Sequence, residues 1–345
     1  MSANVTVAQL GCGYWGPNVL RNFSTHKRCE VKWVVETSPE RRAYVETNYP
    51  GVQLTDDWKT AISDPDVDLV AIVTPAATHF SLAQAALEQQ KHVFVEKPLA
   101  NTVAQAETLV ALAQTHHRKL FVGHTFLYNA AVRTIKDYID SGELGEIYYI
   151  FTQRLNLGRV RQDVNAMWNL APHDISILLY WLGEDPQRVF ARGFSFLQEG
   201  IEDVVFLHLD FPSGKFAHIH TSWLDPCKVR KIVIVGSKKM IVYDDTSADA
   251  KVMIYDKGID KKTMYEAGEP FHSFGQFQLL QRTGDMVVPH LRFPEPLQVQ
   301  ADHIITCITQ DTPPLTDGYS GLQVVRVLET AQQALEADAK EVGQL

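Results

Sequence analysis

The stretch VTVAQLGCGYWGPN, residues 5–18, joins an apolar segment to a glycine-rich turn. Val5–Leu10 is apolar and partly β-branched, which predicts a buried β-strand. The next six residues have the pattern G-x-G-x-x-G, and Pro17 suits the first turn of a helix, where a missing N–H group costs nothing. This order is typical of a dinucleotide-binding site, although an ordinary strand-to-helix turn can carry the same pattern.

Each glycine of the turn has a distinct part in such a site. Gly11 permits the tight turn, Gly13 lets a pyrophosphate approach the backbone, and Gly16 lets helix and strand pack closely. The free N–H groups at the start of the helix would face the anion. A second apolar strand, 31–35, ends at Glu36, twenty residues after Gly16, where a carboxylate meets the ribose hydroxyls of the adenosine.

The carboxylate at position 36 bears on the choice between the two nicotinamide cofactors. Glu36 would repel the 2′-phosphate of NADP, so the sequence predicts NAD. Arg41 and Arg42 keep NADP open, because a nearby arginine can accommodate that phosphate. The alternative for both arginines is a solvated helix face.

The composition of the chain argues against several classes of protein. With 345 residues, 45% hydrophobic and 21% charged, it fits a globular protein of two domains. A net charge of −9 disfavours nucleic acid or an anionic membrane as a partner. Four cysteines without a C-x-x-C pair argue against a disulfide framework or a thiolate zinc site. No signal peptide and no membrane-spanning run is visible, so we expect a cytoplasmic protein.

The chain changes character after its first third. Residues 1–123 alternate strands and helices, which predicts an α/β fold with an N-terminal Rossmann domain. Residues 124–345 predict a C-terminal α/β domain with an open, mostly antiparallel sheet, because strand follows strand over 189–255, with hairpin turns at 212–215 and 236–238. The uncovered face of that sheet suggests a homodimer or homotetramer.

Two further segments of the second half are less regular. Residues 156–165 are interpreted as a loop that precedes a helix over His173–Leu182, which Gly183 ends. Residues 256–295 are rich in Gly, Pro and aromatic residues and are interpreted as irregular.

Polar residues that follow predicted strands are the next candidates, because ligands bind at the carboxyl ends of strands in an open α/β sheet. The strand 68–73 leads into TPAATH, residues 74–79. In it Pro75 turns the chain, and Thr78 suits the cap of the next helix. A plain loop is the alternative.

The strand His92–Val95 leads into Glu96-Lys97-Pro98. A charged pair at the end of a buried strand needs a reason, because buried charges are costly. Beside the cationic ring of an oxidised nicotinamide, a desolvated lysine would have a lowered pKa and could exchange a proton with a substrate hydroxyl. The alternative is a surface ion pair.

Together these residues resemble a known family. The turn GCGYWGPN, the loop TPAATH, Glu96-Lys97-Pro98 and WNLAPHD at 168–174 are similar to the Gfo/Idh/MocA oxidoreductases, the relatives of glucose-fructose oxidoreductase and inositol dehydrogenase. The resemblance covers nearly the whole chain. It implies NAD(P)-dependent oxidation of a ring hydroxyl on a sugar, cyclitol or nucleotide-activated sugar. The implied cofactor-binding residues lie in the turn and at strand ends: Gly11, Gly13, Tyr14, Trp15, Gly16, Glu36, Thr74, Pro75, His79, Glu96, Lys97 and His124.

The resemblance also implies catalytic residues. Lys97 matches the family's catalytic lysine, and His173 matches the histidine of its D-x-x-x-H pair, a candidate general base with an unperturbed pKa near ~6.5. Asn169 replaces the aspartate of that pair; it can hydrogen-bond a hydroxyl or orient His173, but it cannot take a proton. Asp174 points about 100° away on a helix and cannot substitute directly. The alternative is a helix that begins at His173 with an acid near its N-terminus.

The segment RLNLGRVR, residues 154–161, resembles sugar-nucleotide and amino-sugar enzymes of this family. Asn156 and Arg161 are its best candidates to hold a diphosphate or a uronate carboxylate, since arginine binds such groups bidentately. Solvated surface arginines are the alternative. With Lys97, Asn169 and His173 they form the expected substrate site.

Three histidines also required an interpretation. His218 and His220 share one strand face, and His208 lies on the partner strand. Three histidines can bind zinc, but an exposed sheet face is the commoner setting. The sequence therefore predicts no metal.

These observations lead to one main hypothesis. The chain would be an NAD-dependent dehydrogenase that oxidises a secondary hydroxyl, such as C3, of a nucleotide-linked amino sugar or uronate, while Lys97 and His173 handle the proton. One alternative is an NADP-dependent ketoreductase of deoxysugar synthesis, which Glu36 opposes. The other is a catalytically silent cofactor-binding regulator, which Asn169 favours slightly and Lys97 and His173 oppose.

Overall fold

The computed structural model describes residues 4–158, 160–259 and 281–342. None of the helices in these ranges is long and apolar enough to cross a membrane. The chain forms two compact units. The first contains the residues up to Asn129 and Phe293–Glu329; the second contains Ala130–Arg292 and the residues from Thr330 onward.

The first unit contains a six-stranded parallel sheet. Its strands are β1 Val5–Leu10, β2 Cys29–Val35, β3 Gln53–Thr55, β4 Leu69–Ile72, β5 His92–Val95 and β6 Leu120–Val122. Their spatial order is β3-β2-β1-β4-β5-β6, so the strand order reverses between β1 and β4. This is the doubly wound sheet of dinucleotide-binding domains, and the predicted Rossmann fold is confirmed.

Helices cover both faces of this sheet. The first unit contains the helices α1 Gly16–Ser24, α2 Pro39–Asn48, α3 Trp58–Ser63, α4 His79–Glu88 and α5 Val103–Thr115. The second unit contains α6 Ala130–Asp140 and α7 Ala166–Leu182. Helix α8 Pro296–Gln310 belongs to the first unit again, and α9 Gly318–Val342 is divided between the units. Along β4, Leu69 and Ala71 belong to one core, and Val70 and Ile72 belong to the other. A strand buried on both faces explains the continuous apolar run in the sequence.

The predicted domains, 1–123 and 124–345, differ from these units. Helix α8 follows the second sheet in sequence, yet its Ile304 lies in the core of the first unit with Phe94 and Phe121. The predicted boundary missed this return, because an apolar helix face does not reveal which core it packs against.

The second unit contains an eight-stranded sheet. Its strands are β7 Ile147–Leu155, β8 Arg188–Phe194, β9 Val204–Asp210, β10 Phe216–Ser222, β11 Val229–Gly236, β12 Met240–Asp244, β13 Val252–Ile259 and β14 Gln281–Val287. Their order is β14-β13-β12-β11-β7-β10-β9-β8, with β7–β10 parallel and the other pairs antiparallel. The mostly antiparallel sheet and both predicted hairpins are confirmed.

The irregular interpretation of residues 256–295 was wrong in part. Strand β13 extends to Ile259, and β14 occupies Gln281–Val287. Residues 260–280 lie outside the described residues.

Helix α7 begins earlier than predicted. It starts at Ala166 rather than His173, and the side chain of Asn165 caps it by accepting the main-chain N–H three residues on, at 3.0 Å. Pro172 lies inside the helix, and a proline at that place made the sequence favour a later start. The predicted end at Gly183 is confirmed, with φ of 67°.

Candidate active site

The glycine-rich turn lies between β1 and α1. A Cβ atom at Gly11, where φ is +92°, would lie 2.8 Å from the carbonyl oxygen of Val73, and one at Gly16 would lie 2.8 Å from the carbonyl oxygen of Gly11. A Cβ atom at Gly13 would meet nothing within 4 Å. Gly11 and Gly16 are therefore required by the packing of the turn, whereas Gly13 borders open space of the kind that an approaching pyrophosphate needs.

Gln9 is a residue of this turn that the sequence interpretation missed. Its side chain is fully buried, and Nε2 donates to the carbonyl oxygens of Gly11 at 2.9 Å and Gly16 at 3.0 Å. The amide thereby holds both ends of the turn together. A polar residue in the middle of an apolar strand was the available signal.

Glu36 lies at the end of β2, beside the same turn. Its Oε2 accepts a hydrogen bond from the Cys12 main-chain N–H at 2.7 Å, and its Oε1 accepts one from Ser38 N–H at 2.9 Å. The guanidinium of Arg42 donates to the carbonyl oxygens of Glu36 at 2.7 Å and Thr37 at 3.1 Å. Arg42 therefore has main-chain partners, and the carboxylate is fixed where β1 and β2 end.

His79 connects the loop after β4 with the turn after β5. The imidazole is buried, with Nδ1 2.7 Å from the carbonyl oxygen of Pro98 and Nε2 2.9 Å from that of Thr74. Burial lowers the pKa of His79, and the two carbonyl bonds oppose that shift. Both ring nitrogens are directed at the main chain, so His79 fastens the two segments together, and its predicted contact with the cofactor stays a prediction.

Thr78 does not cap α4 as predicted. A short 3-10 turn, Ala76–Thr78, precedes that helix, and the hydroxyl of Thr78 donates to Thr74 Oγ1 at 2.7 Å and to the carbonyl oxygen of Pro75 at 2.8 Å. The hydroxyl stabilises the loop after β4 instead. Thr74 and Pro75 stay at the carboxyl end of that strand, where a ligand of this fold binds.

Glu96 occupies a buried position after β5. Its Oε1 accepts a hydrogen bond from Trp15 Nε1 at 2.9 Å, and its Oε2 accepts one from the Lys97 main-chain N–H at 3.2 Å. Burial raises the pKa of Glu96 to about 7, against the charge of Lys97 and the two hydrogen bonds. The surface ion-pair alternative is wrong for this carboxyl group. The Lys97–Pro98 peptide bond is cis.

His124 follows β6 at the same edge of the sheet. Its side chain is buried, and neither ring nitrogen has a hydrogen-bond partner among the described residues. Burial and the charge of Lys97 lower the pKa of His124 to about 3, so the imidazole is neutral at ordinary pH. Buried polar atoms are nearly always paired, so this imidazole fits a site that a polar ligand completes. The open space at Gly13 and the carboxylate of Glu36 fit the other parts of a dinucleotide.

In the second unit, Asn169 and His173 lie four residues apart on α7 and therefore share one helix face. The indole N–H of Trp223 donates to Asn169 Oδ1 at 3.2 Å. Oδ1 of the amide thus acts as an acceptor toward Trp223. Unlike the carboxylate of an aspartate, the amide cannot take a proton.

Asp174 is not an acid at the start of a helix, as the alternative assumed. It is buried in the middle of α7, where its carboxylate accepts two hydrogen bonds from Arg154 of β7, at 2.6 Å and 3.1 Å. The pair ties α7 to the sheet next to His173. It also occupies Arg154, the first arginine of the segment RLNLGRVR.

Arg161 and Asn156 belong to the loop after β7. The guanidinium of Arg161 donates to the carboxylate of Asp163 at 2.8 Å and 2.5 Å, and this bond raises the pKa of Arg161. The side chains of Arg161 and Asp163 are partly exposed. The main-chain N–H of Asn156 donates to Ser222 at 3.2 Å, next to the end of β10. The structure thus gives Arg161 a bidentate partner within the chain, and its predicted contact with a substrate stays a prediction.

The three histidines lie together on one face of the eight-stranded sheet. The ring of His218 stacks on Phe151, with centroids 5.2 Å apart, and lies 4.4 Å from the ring of His208. His220 stacks on Phe206 at 4.3 Å. Within residues 4–158, 160–259 and 281–342, no group of three histidine, cysteine or acidic side chains is placed to hold a metal ion.

A doubly wound sheet with a glycine-rich turn and polar groups at its carboxyl edge defines a dinucleotide-dependent oxidoreductase. Residues 5–124 match the family model described as "Oxidoreductase family, NAD-binding Rossmann fold", and residues 132–242 match the "GFO/IDH/MocA C-terminal domain". The chain belongs to the Gfo/Idh/MocA oxidoreductase family.

Known proteins agree with this assignment. YdgJ, an uncharacterized oxidoreductase of Escherichia coli (strain K12), is 30% identical over 69% of this chain and 70% of its own length. An oxidoreductase from Magnetospirillum magnetotacticum MS-1, whose crystal structure is known, is 28% identical, with a TM-score of 0.79 over 95% of this chain and 99% of that chain.

Several relatives have named substrates, and one of them acts on a nucleotide sugar. UDP-N-acetylglucosamine 3-dehydrogenase of Acidithiobacillus ferrooxidans is 32% identical over 37% of this chain and 40% of its own length. Its crystal structure has a TM-score of 0.81 over 97% of this chain and 98% of that chain, at 21% identity, which shows a shared fold.

Proposed function

We propose that the chain is an NAD-dependent dehydrogenase that oxidises a secondary hydroxyl of a sugar. The observation that carries this proposal is the arrangement of the first unit, in which Glu96-Lys97 follows β5 at the sheet edge where the glycine-rich turn follows β1. Ligands of a doubly wound sheet bind at that edge. Support for a nucleotide-linked amino sugar oxidised at C3 comes from the similarity to UDP-N-acetylglucosamine 3-dehydrogenase, whereas a uronate rests on the sequence of residues 154–161 alone.

The choice of NAD over NADP rests on Glu36. Its carboxylate is fixed by two main-chain N–H groups beside the turn, where it accepts ribose hydroxyls and repels a 2′-phosphate. Arg42 donates to two main-chain carbonyl oxygens. If the cofactor were NADP, Arg41 would therefore be the arginine that binds its 2′-phosphate.

The residues divide the chemistry in the following way. Bound NAD supplies the hydride acceptor, at C4 of the nicotinamide. Lys97 and His173 hold and move the proton of the substrate hydroxyl, as an ammonium or imidazole can near neutral pH. Asn169, whose Oδ1 accepts from the indole of Trp223, orients the substrate or His173 and takes no proton.

Two glycine variants test the cofactor site. Gly13→Ala should retain the melting temperature of the wild type and lose affinity for NAD, because its methyl group enters the open space at the turn. Gly16→Ala should lower the melting temperature, because its Cβ atom would meet the main chain at 2.8 Å. Thermal shifts with NAD and NADP measure both. No stabilisation of the wild type by any dinucleotide would contradict the proposal.

The substrate is tested by the appearance of NADH absorbance with a panel of sugars. UDP-N-acetylglucosamine and its uronate should support turnover, whereas free sugars and inositols should not. Turnover with inositols alone would support the proposed dehydrogenase activity and contradict the proposed nucleotide-sugar substrate. Tight dinucleotide binding without turnover of any sugar would favour the silent regulator, and oxidation of NADPH by a keto sugar would favour the reductase.

We also propose that a second copy of the chain covers the face of the eight-stranded sheet that carries the three histidines. Phe216 is 42% exposed there and stacks on Tyr149 with centroids 5.3 Å apart. Exposed aromatic residues on one face are typical of a subunit contact. Phe216→Lys should lower the mass found by light scattering, whereas Tyr44→Lys, at an exposed tyrosine of α2, should leave it unchanged. A monomeric wild type would contradict this.

A further inference from the structure

The turn after β5 buries a carboxyl group against the glycine-rich turn. Glu96 is 9% exposed, and the indole of Trp15 donates to its Oε1 at 2.9 Å. A Cβ atom at Gly123 would lie 2.7 Å from Glu96 Oε2, so the absence of a side chain there makes room for the carboxyl group. Three separate segments, which follow β1, β5 and β6, therefore build this position.

The position lies in the half of the sheet that serves the nicotinamide. The strands β4, β5 and β6 form the second mononucleotide-binding half, and the first half, with Glu36, serves the adenosine. Trp15 belongs to the turn that faces the pyrophosphate. The Trp15–Glu96 hydrogen bond thus connects the pyrophosphate side of the site with its nicotinamide side.

We propose that Glu96 makes the affinity for oxidised and reduced cofactor depend differently on pH, with Trp15 as the residue that positions its carboxyl group. As a carboxylate, Glu96 favours the cationic ring of NAD⁺; as a neutral acid, it does not distinguish that ring from the uncharged ring of NADH. This inference rests on the proposed cofactor site and deepens it. Binding of NAD⁺ then favours ionisation of Glu96 and releases a proton.

The titratable groups on the segments that pack against Glu96 bear on its charge. Lys97, on the same turn, acts on it electrostatically and lowers its pKa, whereas burial raises that pKa to about 7. From β6, Gly123 adds no side chain, and His124 is neutral because burial and Lys97 lower its pKa to about 3. From the glycine-rich turn, Trp15 adds an uncharged donor. His124 and Trp15 therefore carry no charge near neutral pH, and the Lys97→Met variant below separates the contribution of Lys97 from that of Glu96.

The experiment measures the dissociation constants of NAD⁺, NADH and ADP-ribose by calorimetry from about pH 6 to about pH 8. ADP-ribose shares the adenosine and pyrophosphate but lacks the ring. We expect bound NAD⁺ to lower the pKa of Glu96 by about one unit, which corresponds to a tenfold change in affinity. NAD⁺ should therefore bind up to about tenfold more tightly at the upper pH. NADH and ADP-ribose should change little. Titration of NAD⁺ in two buffers of different ionisation enthalpy should show proton release.

Three variants assign the effect. Glu96→Gln should remove both the pH dependence and the proton release but still bind ADP-ribose, and a cooperative thermal transition shows that the variant is folded. Trp15→Phe should move the midpoint to higher pH, because loss of the indole donor raises the pKa of Glu96. Lys97→Met should keep the pH dependence, also with a raised midpoint, because Lys97 lowers that pKa.

The outcomes separate two failures. If none of the three ligands binds, the proposed cofactor site is wrong. If all bind and NAD⁺ follows the pH dependence of ADP-ribose, the role of Glu96 is wrong. The role is also overturned if Glu96→Gln keeps the proton release and Lys97→Met loses it. A uniform loss of affinity at every pH in Trp15→Phe would reduce Trp15 to a structural residue.

Discussion

The two sheets of this protein treat buried charge in different ways. In the eight-stranded sheet, Arg154 is buried with a counter-charge, Asp174, which it binds twice. In the six-stranded sheet, Glu96 is buried with hydrogen bonds from uncharged groups, Trp15 and a main-chain N–H. A paired buried charge serves to fix structure, whereas a buried acid with a raised pKa is typical of a site that handles protons or ligands.

The largest expected effect concerns proton transfer at the site of the first unit. Lys97→Met should reduce turnover by about 10²- to 10⁴-fold, the usual contribution of a general acid or base. The affinity for NAD should change far less, because the glycine-rich turn and Glu36 are untouched. Steady-state kinetics with the sugar found in the panel measure the first effect, and calorimetry measures the second. Turnover near that of the wild type would assign the proton transfer to another residue.

Arg154→Met tests how much the buried Arg154–Asp174 pair contributes to stability. Removing one partner leaves Asp174 buried without its counter-charge, and we expect a loss of about 3–5 kcal/mol in the free energy of unfolding. Arg161→Met is the matched control, since the Arg161–Asp163 pair is partly exposed and should contribute less than about 1 kcal/mol. Urea unfolding of both variants measures the difference. Equal losses would show that burial does not distinguish the two pairs.

This pair also shows what the sequence could and could not predict. In the parallel sheet, a strand delivers the residue after it to the carboxyl edge, so Gly11, Glu36 and Glu96 could be placed from strand positions alone. The partner of Arg154 is twenty residues away on a helix whose start the sequence misplaced. Pairing between elements depends on packing, and no local pattern encodes it.

The side chains of the first site were only partly predictable for the same reason. The positions of His79 and Trp15 at strand ends followed from the sequence. Their partners did not: His79 faces two main-chain carbonyl oxygens, and Trp15 faces Glu96. The bonds from His79 to Pro98 and from Trp15 to Glu96 join segments that follow different strands, so they emerge only when the sheet is assembled.

The next prediction concerns Glu96, the buried acid of the first unit. The pKa of Glu96 is raised from 4.5 to about 7 by burial. Between those values the unfolded chain binds fewer protons at this group than the folded chain, so stability falls as pH rises from about 4.5 to about 7. Glu96→Gln removes this contribution and should gain stability relative to the wild type over that range, by about 2–3 kcal/mol in total. A difference between the two proteins that is flat with pH would place Glu96 in a solvated setting.

The smallest expected effect concerns a residue whose role is local. Gly183 ends α7 in the left-handed region, with φ of 67°, and a Cβ atom there would meet nothing within 4 Å. Gly183→Ala should therefore cost only the backbone strain, about 1 kcal/mol, and Gly183→Asn should cost less, since asparagine tolerates this conformation. Both are measured by urea unfolding beside Arg154→Met. If Gly183→Ala cost as much as the loss of Arg154, the end of α7 would hold that helix as firmly as its buried ion pair. The contrast between the two sheets would then lie in local helix chemistry rather than in the way each one buries charge.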